Sequence, residues 1–146
     1  MKYLLDTNIV SDAIKPKPNE ALARWVIDRT DSELFLSAIS VGEIKRGVLE
    51  LPTGRKRLAL EQWYAGPDGP RGMFGARILA FDERAAEAWA DLIVEGRKKG
   101  RPRSPIDMMI AATAMVNDLT VVTLNERDFE GAIPVINPLT AARPSR

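Results

Sequence analysis

The chain is 146 residues long, with 45% hydrophobic and 28% charged residues, the size and balance of one globular domain with room for a single core. Its 21 basic and 20 acidic side chains leave a net charge of +1, so no bulk charge draws in a polyanion. With no cysteine and no histidine, the chain has no disulfides, thiol nucleophiles, Cys or His zinc sites, Ser-His-Asp triads or imidazole acid–base chemistry; any hydrolysis has to come from carboxylates, with or without a hard cation held by oxygen.

Tyr3-Leu4-Leu5 reads as a short apolar strand stopped at Asp6. That run is too short for a signal peptide, and no stretch approaches the ~18 apolar residues of a membrane span, so a cytoplasmic protein without membrane contact is expected. Ile9, Val10, Ala13 and Ile14 take helical spacing up to Pro16 and Pro18, and Asn19 caps a helix with Leu22, Trp25, Val26 and Arg29 along one side. Leu34-Phe35-Leu36 is a second strand, running into a helix striped by Val41, Ile44, Val48 and Leu51. A helix over 55–64 precedes Gly66 to Gly75, where repeated glycines predict a mobile loop. A third strand is expected over 77–81, followed by a helix capped by Asp82 and carrying Ala86, Trp89, Leu92 and Ile93. A basic loop over 97–103 then leads to an alanine-rich helix over 105–117. Strands over 120–123 and 134–136 complete the pattern, and residues 138–146 read as a flexible C-terminal tail. Strand and helix alternate throughout, which predicts an α/β fold: a three-layer α/β/α sandwich around a mostly parallel five-stranded sheet.

Ligands of an open parallel sheet bind beyond the carboxyl ends of its strands. Asp6 leaves the first strand at that edge, Glu43 stands on the first turns of the helix after the second, and Asn125 and Asp128 follow the fourth. Asp107 opens the helix entering that same strand, so its approach depends on helix packing. Taken singly, each reads as a helix cap: Ser104-Pro105-Ile106-Asp107, Ser40-x-x-Glu43 and Asn125-x-x-Asp128 all have capping order, and Asp6 can cap the first helix. Together they share one edge. Anions crowded at one address repel unless a divalent cation stands among them, and oxygen donors alone select Mg²⁺ or Mn²⁺. Glu43 shares a stripe with Ser40, Gly47 and Glu50 at the rim of the buried face; Gly47 weakens its helix unless close packing or substrate approach requires it.

Four segments carry this pattern: Leu4-Leu5-Asp6-Thr7-Asn8, Ser37 to Glu43, Pro105 to Ala114, and Thr123-Leu124-Asn125-Glu126-Arg127-Asp128-Phe129. In order and spacing they resemble the motifs of PIN-domain nucleases over nearly the whole chain, most closely the VapC-like toxins of bacterial toxin–antitoxin pairs, including the FitB-like branch. The resemblance implies a single PIN domain over residues 1–137 acting as a metal-dependent endoribonuclease. It also implies an Mg²⁺ or Mn²⁺ cofactor, an RNA substrate cut to 5′-phosphate and 3′-hydroxyl ends, a cognate antitoxin and a homodimer. Position by position, Asp6, Glu43 and Asp107 match the family's three acids and would be its metal ligands. The fourth place falls on Asn125 or Asp128; Asp128 is taken as catalytic, with Asn125, Thr7 and Thr123 supporting. Many members have an arginine where this chain has Leu124. Arg97, Lys98, Lys99, Arg101 and Arg103 are expected to guide the RNA backbone, Arg55, Lys56 and Arg57 form a second basic patch, and Trp63, Tyr64, Met73 and Phe74 offer apolar contacts to a partner. The competing reading is a catalytically weak PIN-like RNA-binding or signalling module with a structural acidic pocket. A dehalogenase-type phosphatase would need a second aspartate where Asn8 stands, and the acid and lysine positions of a receiver domain are not evident.

Overall fold

Five parallel strands form the middle layer of the structure, a computed structural model that describes residues 1–141. The strands are β1 (Tyr3–Leu5), β2 (Leu34–Ser37), β3 (Ile78–Leu79), β4 (Thr120–Val122) and β5 (Val135–Ile136), in the order β3-β2-β1-β4-β5. The chain builds outward from β1 through β2 to β3, then returns to β1's other flank with β4 and β5. Strand order therefore reverses at β1, which opens a crevice at its carboxyl end. Register aligns the edge: Leu5 pairs with Leu36 of β2 and Val122 of β4, so Asp6, Ser37 and Thr123 stand side by side just beyond it.

Helices cover both faces because the central strands are apolar on both. Leu4 and Val121 point into a cluster with Leu92, Met108, Ile110, Ala111 and Phe129, contributed largely by α6 (Glu83–Lys98) and α7 (Pro105–Val116). Leu5, Leu34 and Val122 point the other way, onto Ile9 of α1 (Thr7–Asp12) and onto Leu22 and Trp25 of α2 (Glu20–Ile27). Alternate side chains of three-residue strands thus anchor two separate layers, the sandwich that the alternation predicts. Asn19 caps α2 through Leu22 N at 3.0 Å, and Asp82 caps α6 through Ala85 N at 2.9 Å, both as expected. Among the described residues, no helix is long and apolar enough to cross a membrane.

Three local expectations change. The stretch 66–75 is folded rather than a mobile loop: after α4 (Arg55–Ala65) it forms α5 (Pro70–Phe74) and then a 3₁₀ turn, Gly75–Arg77. Its glycines answer to close packing, since a Cβ on Gly69 would lie 2.3 Å from the Tyr64 carbonyl oxygen and one on Gly72 2.3 Å from that of Pro67. The third strand shrinks to two residues because Arg77 is drawn into the preceding turn, donating at 2.6 Å to the carbonyls of Leu34 and Met73. The chain also continues in order past Asn137: α8 (Pro138–Ala141) follows, with Pro138 buried and Leu139 packed against the Trp25 cluster. The rest of the expected tail, 142–146, lies outside the described residues.

Gly47, on the exposed side of α3 (Ala38–Leu49), has no atom within 4 Å of a built Cβ, so packing does not require it. Gly47→Ala is expected to stabilise the fold by about 1 kcal/mol, a gain of about 3 °C in melting temperature, whereas Gly72→Ala, which drives a Cβ into the Pro67 carbonyl, lowers it. Thermal unfolding followed by circular dichroism measures both.

Candidate active site

Asp6 is the first residue past β1 and the N-cap of α1. Its side chain is 6% exposed and fully engaged: Oδ1 accepts from Thr7 N at 2.7 Å and Oδ2 from the Thr123 hydroxyl at 2.8 Å. Its own N–H donates to the Val122 carbonyl at 2.8 Å, tying the turn to β4. Burial pushes the Asp6 carboxyl up from its ordinary pKa; the two hydrogen bonds oppose that shift, and the negative charges of Glu43 and Asp128 add to it. The cap reading of Asp6 therefore holds, and the same carboxyl lies in the field of two further acids.

Thr7 carries the connection to α3. Its hydroxyl donates to Glu43 Oε1 at 2.6 Å and lies 2.9 Å from the Ser40 hydroxyl, which is fully buried. Ser40 is therefore no cap: Ser37 fills that role, accepting from Ile39 N at 3.0 Å, and Ser40 lies one turn inside, facing the site. On β4's side the Thr123 hydroxyl also accepts from Asn125 N at 3.0 Å and faces Asn8 Nδ2 at 3.4 Å. The Thr7 and Thr123 hydroxyls thus each donate to an acid, Thr7 to Glu43 and Thr123 to Asp6. Ser40 and Asn8 belong to the same network. They lie inside the motif segments, but sequence offered no signal separating them from ordinary helix polars.

Asp107 reaches the group through the start of α7. Ser104 caps that helix, its Oγ accepting from Asp107 N at 3.3 Å, and Pro105 fills the first position, so the capping order is real and holds the acid in place. Its carboxyl is raised from 3.8 to about 6, first by burial and then by Asp6 and Asp128, with the Ser104 hydrogen bond opposing and Glu43 adding. Asp128 lies on a 3₁₀ turn, Glu126–Phe129, whose buried Phe129 pins an otherwise exposed acid to the core. Asn125 contributes its backbone N–H rather than a side-chain cap. Four carboxylates from four segments of the chain therefore share one electrostatic field, and among the described residues no salt bridge neutralises any of them.

That surplus of negative charge on oxygen donors suits a hard divalent cation. Among the described residues no three acidic side chains form a ready-made ligand cage, and cavities of about 600 Å³ around Tyr3, Trp25 and Arg29 and about 350 Å³ around Ile9, Val26 and Phe74 lie elsewhere. The donor set, all carboxylate oxygen without a closed cage, fits a hard ion that keeps part of its water, as Mg²⁺ does.

The basic stretch divides. Arg97 and Lys98 end α6, Lys99 pairs with Glu95 at 3.5 Å, and Arg101 is 78% exposed, 3.9 Å from Glu130. Arg103 does not meet the expectation of an RNA contact: its side chain is 7% exposed and bonded to protein acceptors. Arg127, inside the fourth motif segment, lines a 160 Å³ cleft together with Arg101, Arg103, Ser104 and Asp128. Arg57 in the second patch is tied to Glu61 at 2.7 Å.

Comparison with known proteins gives a consistent picture. The family model described as the PIN domain matches residues 3–132. A VapC ribonuclease of Sinorhizobium fredii is 33% identical over 136 residues, covering 92% of this chain and 96% of that protein. The toxin FitB of Neisseria gonorrhoeae is 36% identical over 136 residues, with the same two coverages of 92% and 96%. The solved structure of FitAcB from Neisseria gonorrhoeae superposes with a TM-score of 0.85 at 34% identity, over 94% of this chain and 98% of that one.

A carboxyl whose pKa rises on folding costs the folded state stability; for Asp107 the cost is absent below about 3.8 and complete above about 6. Asp107→Asn removes it. In metal-free buffer the variant is expected to melt above the wild type at pH 7.5, with the difference closing as pH falls below 4, as followed by thermal unfolding across pH.

Proposed function

The chain belongs to the PIN-domain family, and from that premise we propose that it is a metal-dependent endoribonuclease, the toxin of a toxin–antitoxin pair of the VapC and FitB kind. The observation that carries the reading is the un-neutralised set of carboxylates Asp6, Glu43, Asp107 and Asp128 at the sheet's topological switch. Asp6, Glu43 and Asp107 would hold Mg²⁺ or Mn²⁺. When bound, such an ion supplies an activated water and charge neutralisation at the phosphodiester. Asp6, immobilised by Thr7 N–H and Thr123, is the fixed reference of the site, and Thr7 keeps Glu43 aimed at it. Asp128, exposed at the rim, accepts the proton of the attacking water, with Asn125 supporting. The RNA backbone approaches over Arg97, Lys98, Lys99 and Arg101, joined by Arg127 beside Asp128.

The antitoxin partner has a fitting surface. An apolar groove of about 350 Å³ runs between α1, α2 and the α4–α5 region, lined by Ile14, Val26, Ile27, Trp63, Met73 and Phe74. Ile27 and Met73 are 78% and 55% exposed, unusual for large apolar side chains without a partner. Structures similar to this chain are toxin–antitoxin complexes, which supports an antitoxin segment as the occupant. A homodimer and a cytoplasmic location complete the reading.

Two outcomes are expected. Asp6→Asn, Glu43→Gln and Asp107→Asn each lower the cleavage rate of a mixed RNA pool about 100-fold or more, and excess EDTA abolishes cleavage until Mg²⁺ or Mn²⁺ is restored; full activity in all three variants or in EDTA favours the RNA-binding module instead. Ile27→Glu leaves cleavage unchanged and weakens capture of the antitoxin encoded beside this gene by about tenfold or more, as measured by calorimetry.

A further inference from the structure

Arg103 faces inward from a basic stretch and is committed to three protein acceptors. Nη1 donates to the Leu92 carbonyl at 2.8 Å, and Nη2 donates to Glu95 Oε1 at 3.0 Å and to the Gly131 carbonyl at 3.1 Å. Its stem crosses α6 at Gly96, where a Cβ would stand 2.9 Å from the Arg101 carbonyl oxygen and 3.0 Å from both Arg103 Cγ and Cδ. Gly131 adopts a φ of +77°, a conformation that favours glycine, where it presents that carbonyl. Three segments are thus shaped to receive one guanidinium. A planar fork with donors in fixed directions suits this task, and a lysine ammonium does not.

Both ends of the link lead to site acids with little slack. After Arg103 come the cap Ser104 and Pro105, whose carbonyl accepts from Trp89 Nε1 at 3.0 Å, and then Asp107, bonded back to Ser104. Gly131 follows Asp128 by three residues, past the buried Phe129 and through backbone bonds from Glu130 to Arg127 (3.2 Å) and from Ala132 to Phe129 (3.0 Å). Among the described residues, Arg103 to Gly131 is the one hydrogen bond joining segment 101–107 to segment 125–132. The other polar contact between them is the exposed Arg101–Glu130 pair at 3.9 Å, a weak tie. Two carboxylates of like sign on these segments repel, and something has to hold them at a working distance.

We propose that Arg103 is a positioning residue: its guanidinium sets the separation between the Asp107-bearing start of α7 and the Asp128-bearing turn. The proposal rests on the ribonuclease reading and adds to it a residue that touches neither RNA nor metal.

The test compares Arg103→Met and Arg103→Lys with the wild-type full chain, by circular dichroism and by steady-state cleavage of a substrate drawn from the RNA pool. Arg103→Met is expected to keep KM within about twofold and to lose about tenfold or more in kcat, partly restored in Arg103→Lys. Adding Asp128→Asn to Arg103→Met costs less than Asp128→Asn alone, because residues that act through one another are not additive. A folded Arg103→Met with wild-type kcat overturns the proposal, and so does a raised KM at unchanged kcat, which makes Arg103 an RNA contact. Should Arg103→Met not fold, Arg103→Lys is read by the same split between kcat and KM, and wild-type kcat in that variant overturns the proposal. If the wild-type chain cleaves no RNA, the ribonuclease reading fails and the link is judged by amide hydrogen exchange. Arg103→Lys must then speed exchange in both 107–110 and 125–132 while α2 and α3 keep theirs, and loosening of one segment alone overturns it.

Discussion

Placing the Asp6 carboxylate out of water at the end of β1 is the constraint around which the rest of the molecule is arranged. A buried anion is costly unless hydrogen bonds meet it, and here they come from two directions: the Thr7 N–H at the start of α1 and the Thr123 hydroxyl at the exit of β4. Each donor is held in turn. Thr7 is tied to Ser40 and Glu43 on α3, and Thr123 to Asn8 and Asn125. One anion therefore locks the end of the central strand to the start of one helix and to the neighbouring strand, and through Thr7 to a third element.

The same constraint explains why the site remains negatively charged. Hydrogen bonds satisfy the oxygens of Asp6 without cancelling its charge, and the acids around it come from α3, α7 and the turn after β4. Two arginines of the stretch before α7 are engaged with other partners: Arg103 with main-chain carbonyls and Glu95, and Arg101 weakly with Glu130. The fold thus keeps Arg103 close enough to brace the segments that carry the acids, while among the described residues the four carboxylates stay free of salt bridges.

Much of this was legible in the residue order. Apolar runs such as Leu4-Leu5 and Val121-Val122 mark strands buried on both faces, and caps such as Asn19, Asp82 and Ser104 mark helix starts, because both signals depend on neighbours a few residues away. The acids could be assigned to one sheet edge because parallel topology sends every strand end in the same direction. Less legible were features that depend on what lies across the fold. The glycines at 69 and 72 suggest flexibility until the carbonyls of Tyr64 and Pro67 are seen against them, and Arg77 looks like part of a strand until its guanidinium finds the carbonyls of Leu34 and Met73.

The sequence alone determined the alternation of elements and the absence of imidazole and thiol chemistry, because composition and local periodicity need no partner to be read. Only the tertiary structure decided that Asp107 comes within the field of Asp6, that Ser40 meets Thr7 rather than capping a helix end, and that Arg103 is committed to main-chain carbonyls and Glu95 while Arg101 stays exposed. Those outcomes depend on which side chains meet across the α6–α7 pair and the β1–β4 crevice. Packing sets such distances between residues far apart in the chain, and no short-range pattern encodes them.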